Sequence, residues 1–141
     1  MIHDLIAVLT HGFSLFRTET AQLPAAVLAW MWVMRIALGA SIVFLPRPGA
    51  IAAFAVMLTT AVSRFIIKGI YPDMPAAHIG ASVHVVLWLP LTIFLLWTMH
   101  AHQTAGGTPM DRAYGFWRIA AVAVMAVSLV FDVREAIGFM A

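Results

Sequence analysis

The sequence of 141 residues has no cysteine, no asparagine and a single lysine, Lys68, and only 10% of its residues are charged. Without cysteine the chain has no disulfide bond, thiolate metal ligand, iron–sulfur cluster or cysteine nucleophile. Soluble domains contain about 25% charged and about 45–50% apolar residues. With 63% hydrophobic residues and a mean hydropathy of +0.97, this chain is not a soluble domain.

Runs of like charge and catalytic motifs are also missing. Eight Lys and Arg residues oppose six Asp and Glu residues, without a basic run of the kind that binds nucleic acid, so we exclude nucleic acid as a partner. There is no glycine-rich phosphate loop, nucleophile elbow or HExxH helix, and no pair of carboxylates inside an apolar stretch. The sequence leaves an enzymatic activity open, but the absence of these motifs argues against one.

Four apolar stretches dominate the chain, at about residues 24–45, 50–67, 77–99 and 114–131. Each has the length of about 17–25 residues that a helix needs to cross a bilayer core about 30 Å thick. Proline, glycine and charged residues separate the stretches and predict turns between them. The sequence therefore predicts an all-α membrane protein with four transmembrane helices in an up-down bundle, in a single integral membrane domain over residues 1–141.

Residues 1–20 precede the first apolar stretch and have a helical pattern of their own. The apolar residues on one face are Ile2, Leu5, Ile6, Leu9, Phe13 and Phe16. This pattern predicts a short amphipathic helix that lies in the membrane interface. The alternative is a disordered or partner-packed lead-in, because Gly12 is unfavourable inside a helix.

The distribution of Arg and Lys gives a prediction of orientation. An even number of spans places both termini on one side, which we call the terminal side. That side has four cationic residues, and the other has three: Arg17, Arg64, Lys68 and Arg134 against Arg47, Arg112 and Arg118. The positive-inside rule then predicts cytoplasmic termini. We expect a multi-pass protein of a bacterial inner membrane.

Arg35 is the most informative single residue. It follows Ala25 by ten positions, or about 15 Å at about 1.5 Å per residue, which is the midplane of a core about 30 Å thick. The predicted spans contain three arginines, Arg35, Arg64 and Arg118, and no carboxylate. Ionisable groups at membrane depth usually face a bundle interior or a wet cavity. We therefore expect Arg35 to attract a carboxylate, a lipid phosphate or a bound anion.

Arg64, His84 and Asp132 are predicted to reach similar depths on the terminal side. On the third span Gly80, His84 and Trp88 follow each other at spacing i, i+4 and share one face. We therefore predict a binding cluster of Arg64, His84 and Asp132, extended toward the midplane by Arg35. In the alternative interpretation the cluster is structural: Arg64 and Asp132 form an interhelical ion pair, and His84 bonds a carbonyl or hydroxyl group.

Histidine also raises the question of a metal or haem. Ligation of haem by two histidines needs imidazoles on facing helices, and only His84 lies well inside a span. Met99, His100 and His102 combine thioether and imidazole groups, which suit copper. We regard these three residues as weak metal candidates, and no cofactor is implied.

Three functions are compatible with these features. The first is a subunit or assembly partner of a larger membrane complex, bound to other subunits or to copies of itself, since small residues such as Ala25 and Ala29 share a helix face. The alternative is a transporter or channel whose Arg- and His-lined site binds a small anion, a polar solute or a lipid headgroup. The third is a haem- or copper-binding redox protein. Unpartnered small residues facing lipid would favour the first, and a wet pocket lined by Arg35 and His84 the second.

Overall fold

A computed structural model describes residues 2–101 and 107–140, and within these ranges the chain is helical without any strand. The five helices are α1 (Ile2–Thr20), α2 (Ala25–Gly39), α3 (Pro48–Ile70), α4 (Ala76–Ala101) and α5 (Pro109–Met140), and a 3-10 turn, Ala40–Phe44, extends α2. Four segments are long and apolar enough to cross a membrane: Ala25–Phe44, Pro48–Ile70, Ala76–His100 and Pro109–Glu135. The predicted fold class is confirmed, and the chain is a multi-pass membrane protein.

Helices α3, α4 and α5 are longer than the apolar stretches that predicted them. Helix α3 starts at Pro48, whose fixed φ and missing N–H suit the first helical position. Helix α5 starts at Pro109, after a capping box in which Thr108 Oγ1 accepts from the amide of Asp111 (3.2 Å) and Asp111 Oδ2 accepts from the amide of Thr108 (2.9 Å). Apolarity marks the part of a helix inside hydrocarbon, whereas caps decide where the helix begins.

Contacts between α4 and α5 define an antiparallel pair. Along α4, His84, Thr92 and Thr98 contact Asp132, Met125 and Arg118 of α5 in turn, at 3.0, 3.8 and 3.4 Å. Positions rise on one helix as they fall on the other. Between α3 and α4, Trp88 Nε1 donates to Thr60 Oγ1 at 3.1 Å. The core lies between these helices and includes Ala53, Leu95, Trp117, Ala121 and Met125.

Helix α2 makes fewer contacts with the rest of the bundle than α3, α4 or α5 does. Met34 and Leu38, near its C-terminal end, are buried, whereas none of residues 25–33 is buried. The Trp117 indole of α5 holds the same end by donating to the carbonyl of Ala37 at 2.7 Å. The N-terminal half of α2 is therefore the less buried half, and it contacts the core through the half-buried Trp30 and Met31.

Helix α1 crosses the C-terminal end of α3 with backbone against backbone. A Cβ atom at Gly12 would collide with the Phe65 carbonyl, and one at Gly69 would collide with the Val8 carbonyl. The Phe13 ring packs edge-on against Phe65, with 5.1 Å between centroids. Small residues allow such close approach between membrane helices. Gly12 therefore lies inside a continuous helix and acts as a packing position, which answers the alternative that it interrupts α1.

Only part of the apolar face that predicted α1 packs on α3. Gly12 and Phe16 are the buried residues of α1, and Phe13 contacts Phe65 at its edge. The rest of the apolar face remains exposed along Ile2, Leu5 and Ile6. An exposed apolar face is what a helix in the membrane interface needs. The interfacial position of α1 stays a prediction.

Lys68 links α1, α3 and α4 through one buried ammonium group. Only 1% of Lys68 is exposed, and its Nζ donates to the carbonyls of Pro72 (2.7 Å) and Met74 (2.8 Å) and forms an ion pair with Glu19. The second oxygen of Glu19 accepts from the amide of Ala76, the first residue of α4, at 2.9 Å. All three ammonium protons thus have acceptors, as a buried cation requires.

We predict that Gly12→Ala destabilises the fold by about 1–3 kcal/mol, because the Phe65 carbonyl is fixed within α3 and α1 would have to move away. The matched control is Gly115→Ala in α5, where a Cβ atom meets open space and alanine favours the helix. Thermal unfolding in detergent measures both. Equal melting temperatures for the two variants would contradict the close packing of α1 on α3.

We predict that Lys68→Met costs about 3–5 kcal/mol of unfolding free energy, because it leaves a carboxylate and two carbonyls without their shared donor. Glu19→Gln should cost less, about 1–3 kcal/mol, because Lys68 keeps its two carbonyl acceptors but loses its counterion. The single amide oxygen of glutamine can accept from Lys68 or from the Ala76 amide, but not from both. Equal losses in the two variants would contradict the central role of Lys68.

The same pair gives an acid sensitivity. Partial burial raises the pKa of Glu19, but hydrogen bonds from Lys68 and the Ala76 amide, with the charge of Lys68, outweigh it and place the pKa below its ordinary value. Because the pKa of Glu19 is lowered in the folded state, its ionised carboxylate stabilises the fold at pH values above the unfolded pKa of about 4.3. This stabilisation is lost as the pH falls below about 4.3 and through the folded pKa. The melting temperature of the parent should therefore fall more steeply below about pH 4.3 than that of Glu19→Gln.

Candidate functional site

A cavity of about 860 Å³ lies at the terminal side of the bundle, between the N-terminal half of α2 and the ends of the other helices. The N-terminal half of α2, where none of residues 25–33 is buried, forms one wall, and the C-terminal end of α1 borders the cavity. All four residues of the predicted binding cluster line this cavity: Arg35, Arg64, His84 and Asp132. Volumes of about 300–1,000 Å³ are typical of pockets for small organic molecules.

Arg64 lies on α3 and presents the open end of its guanidinium group to the cavity. Its Nε donates to the Thr60 carbonyl, one turn earlier, at 3.2 Å, and its carbon lies 5.2 Å from the centroid of the Phe16 ring. These contacts fix the direction of the side chain. In the described part of the chain neither terminal nitrogen has a hydrogen-bond partner, and neither is sealed from the cavity.

Arg35 adds a second cation from α2. Its guanidinium carbon lies 5.1 Å from the centroid of the Trp32 ring, and its side chain is exposed, which the count of depth along the helix did not predict. No carboxylate lies within 4.0 Å of Arg35 or Arg64 among residues 2–101 and 107–140. The charge of Arg35 also acts on Arg64. Two like charges therefore border one cavity, and the carboxylates that share it, Asp132 and Glu135, lie more than 4.0 Å from both arginines.

His84 and Asp132 form a pair across α4 and α5. His84 Nδ1 lies 3.0 Å from Asp132 Oδ2, and the hydroxyl of Ser128 donates to the same oxygen at 3.0 Å. The imidazole stacks on Trp88 with 4.0 Å between centroids, as their i, i+4 spacing predicts. With Nδ1 directed at the carboxylate, Nε2 has no partner in the ranges that the structure covers and is open to the cavity.

The predicted ion pair between Arg64 and Asp132 is wrong. Asp132 pairs with His84 instead, and Arg64 bonds the backbone of its own helix. The prediction rested on similar depth in the membrane, but Arg64, His84 and Asp132 all share that depth. The register between α4 and α5 decides which of them meet, and a single sequence holds no signal for that register.

Arg118, the third arginine inside a predicted span, belongs to the other end of the bundle. It is buried, its Nη1 donates weakly to Thr98 Oγ1 at 3.4 Å, and its carbon lies 4.7 Å from the Tyr114 ring. It does not line the cavity. Arg47 contacts the same ring and pairs with Asp111, so this end is held by cation–π contacts.

Sequence reasoning missed the apolar and aromatic walls of the cavity. Trp30, Met31, Met34, Leu38 and Met57 line it together with the four cluster residues. In a chain with 63% hydrophobic residues, apolarity does not distinguish a wall residue from one that faces lipid. Only the helix orientations reveal these side chains.

The metal candidates do not assemble a site in the described residues. No group of three or more His, Cys, Asp or Glu side chains placed to hold a metal ion occurs within residues 2–101 and 107–140. Met99 and His100 lie at the end of α4, and His102 lies outside the described residues.

Comparisons with family models, with curated proteins and with solved structures gave no match for this chain. The geometry of the cavity is therefore the basis for its chemistry. Two arginines with open donors, Arg35 and Arg64, and one imidazole nitrogen border it, together with Arg134 and the carboxylates of Asp132 and Glu135. Guanidinium groups bind carboxylate and phosphate oxygens in pairs. The arrangement is suited to recognising an oxyanion.

We predict energetic coupling between His84 and Asp132 of about 0.5–1.5 kcal/mol in a double-mutant cycle of His84→Phe and Asp132→Asn, because the two side chains share a hydrogen bond. The comparison cycle pairs Arg64→Gln with Asp132→Asn and should be closer to additive. Unfolding in detergent measures both cycles. Larger coupling to Arg64 than to His84 would contradict the pairing.

Proposed function

We propose that this membrane protein binds a small organic anion in the cavity between α2 and the rest of the bundle and carries it across the bilayer. The observation that supports this proposal is the pair of guanidinium groups, Arg35 and Arg64, that line one cavity with open donors and no carboxylate within 4.0 Å in the described residues.

The electrostatic argument starts from the cost of charge at membrane depth. An arginine side chain keeps its charge in proteins, and such a charge needs a counterion or water in a low dielectric. Asp132 is the nearest candidate by depth, but His84 and Ser128 already engage its carboxylate. An anionic solute would neutralise the two arginines and accept their hydrogen bonds.

Arg64, Arg35 and His84 would each make a different contact with the anion. The fork of Arg64, held by Thr60 and Phe16, would bind two oxygens of the anion side by side. Arg35 would approach from α2, and His84 Nε2 would hydrogen-bond the same guest while Asp132 fixes the ring.

Transport needs a part of the bundle that moves, and α2 has the looser packing that this requires. Its buried contacts lie at Met34 and Leu38, whereas residues 25–33 are exposed or half-buried. Elements with few buried contacts are the ones that open locally. Tilting of the N-terminal half of α2 would carry Arg35 toward or away from Arg64 and open the cavity.

Membership in a larger complex is the second candidate function. Ala25 and Ala29 are exposed on α2, and small residues on a free helix face allow another helix to approach closely. By the criteria derived from the sequence, the exposed small residues favour this candidate, and the pocket lined by Arg35 and His84 favours transport. Crosslinking through a cysteine at Ala29 would reveal a neighbouring helix.

We predict that Arg35→Gln and Arg64→Gln each weaken anion binding by about tenfold or more, because a hydrogen bond to a charged group contributes about 1.5–3 kcal/mol. Binding of phosphate, acetate and butanesulfonate to the protein in nanodiscs is measured by quenching of tryptophan fluorescence, since Trp30 and Trp88 line the cavity. Counterflow of butanesulfonate into proteoliposomes measures transport, because a permanently charged sulfonate does not leak across the bilayer.

The matched control is Arg112→Gln, which removes an exposed arginine of α5 outside the cavity and should leave binding and uptake unchanged. Absence of binding for all three anions, or equal binding by the Arg64→Gln variant and the parent, would overturn the proposed site. Binding without counterflow would overturn transport and leave an anion-binding protein.

A further inference from the structure

The cavity has a charged level and, deeper in the bundle, an apolar level. Helices α2 and α4 enter from the terminal side, so higher residue numbers lie deeper, whereas on α3 lower numbers lie deeper. Beyond the charged level formed by Arg35, Arg64 and His84, two polar residues line the cavity and are already hydrogen-bonded: Thr60 accepts from Trp88 Nε1, and Ser128 donates to Asp132. The apolar lining residues at this depth are Leu38, Met57 and Trp88. They lie about 4.5, 10 and 6 Å further along their respective helices, at about 1.5 Å per residue.

The deep level is closed by the core. Leu38 and Trp88 are 2% and 4% exposed, and both belong to the core cluster that continues into Leu95, Trp117 and Met125. Beyond this point the helices pack against each other. A group that enters the apolar level is therefore limited to about 5–10 Å in length by the helix rise.

An inorganic oxyanion would use the arginines and leave the apolar level empty. A hydrocarbon tail would leave water by packing against the half-buried side chain of Met57, and it would gain about 25 cal/mol per Å² of buried apolar surface. The volume of about 860 Å³ also exceeds what a single oxyanion fills. The shape and chemistry of the cavity thus match a molecule with one charged end and one apolar end.

We infer that the ligand is an amphiphilic organic acid, with an oxyanion between Arg35 and Arg64 and a short apolar tail directed toward Leu38, Met57 and Trp88. This inference rests on the proposed function and adds the class of solute. The oxyanion can be a carboxylate, sulfonate or phosphate, since guanidinium groups bind all three. The tail is shorter than a membrane lipid's acyl chain, because the core closes the deep level.

The test is a series of alkylsulfonates, from methanesulfonate through butane-, hexane- and octanesulfonate to dodecanesulfonate. Binding is measured in nanodiscs of neutral phosphatidylcholine, with empty nanodiscs subtracted. Affinity should rise by up to about fourfold per methylene, from the burial free energy of one CH₂ group, and stop rising between hexane- and octanesulfonate. Phosphatidylglycerol at the same concentration should not displace hexanesulfonate.

Met57→Ala is the diagnostic variant, with Leu58→Ala as its matched control because Leu58 is exposed on the neighbouring position of α3. Met57→Ala should weaken hexanesulfonate severalfold and leave methanesulfonate unchanged, and retained methanesulfonate binding shows that the variant is folded. Leu58→Ala should change neither.

The outcomes separate this inference from the proposed function. Equal affinity across the series would overturn the apolar tail and leave the anion site intact. Affinity that climbs through dodecanesulfonate, or displacement by phosphatidylglycerol, would identify a lipid as the ligand and overturn the short tail. If no sulfonate binds and phosphate and acetate also fail, the proposed function falls together with the inference.

Discussion

The ion pair between the buried ammonium group of Lys68 and the partly exposed carboxylate of Glu19 is the interaction on which the terminal end of the bundle depends. The ammonium group of Lys68 donates to the carbonyls of Pro72 and Met74 in the turn after α3. Its carboxylate partner, Glu19, accepts from the first amide of α4. A cation this deeply buried is tolerated only when its protons all have acceptors. This node therefore fixes α1 against α3 and α4, and it places Phe16 at the edge of the cavity.

The cavity itself follows from uneven packing. Helices α3, α4 and α5 share a core, whereas α2 joins them through Met34, Leu38 and the hydrogen bond from Trp117. The space that remains beside its N-terminal half receives charged side chains from α2 and α3 and a histidine–aspartate pair from α4 and α5. Polar groups inside a membrane protein commonly mark a site of function, and here they share one cavity.

The cluster of Arg35, Arg64, His84 and Asp132 could be predicted from the sequence because depth in a membrane helix is a count of residues. The rise of about 1.5 Å per residue converts position into distance from the interface. The residue count gives neither the rotation of a helix about its axis nor its register against a neighbouring helix. It therefore paired Asp132 with Arg64, whereas the structure pairs Asp132 with His84. It also missed the Glu19–Lys68 pair, because α1 and α3 are far apart in sequence and their crossing depends on tertiary packing.

The sequence by itself determined the number of spans, their all-α character and the depth of each charged residue, because run length, helical period and turn residues are local properties. Tertiary structure decided which faces meet: Gly12 of α1 on Gly69 of α3, His84 on Asp132, and the open fork of Arg64 on the cavity. The physical reason is that lipid tails are as apolar as a protein core. Hydrophobicity therefore identifies a membrane helix but does not tell which of its faces turns inward.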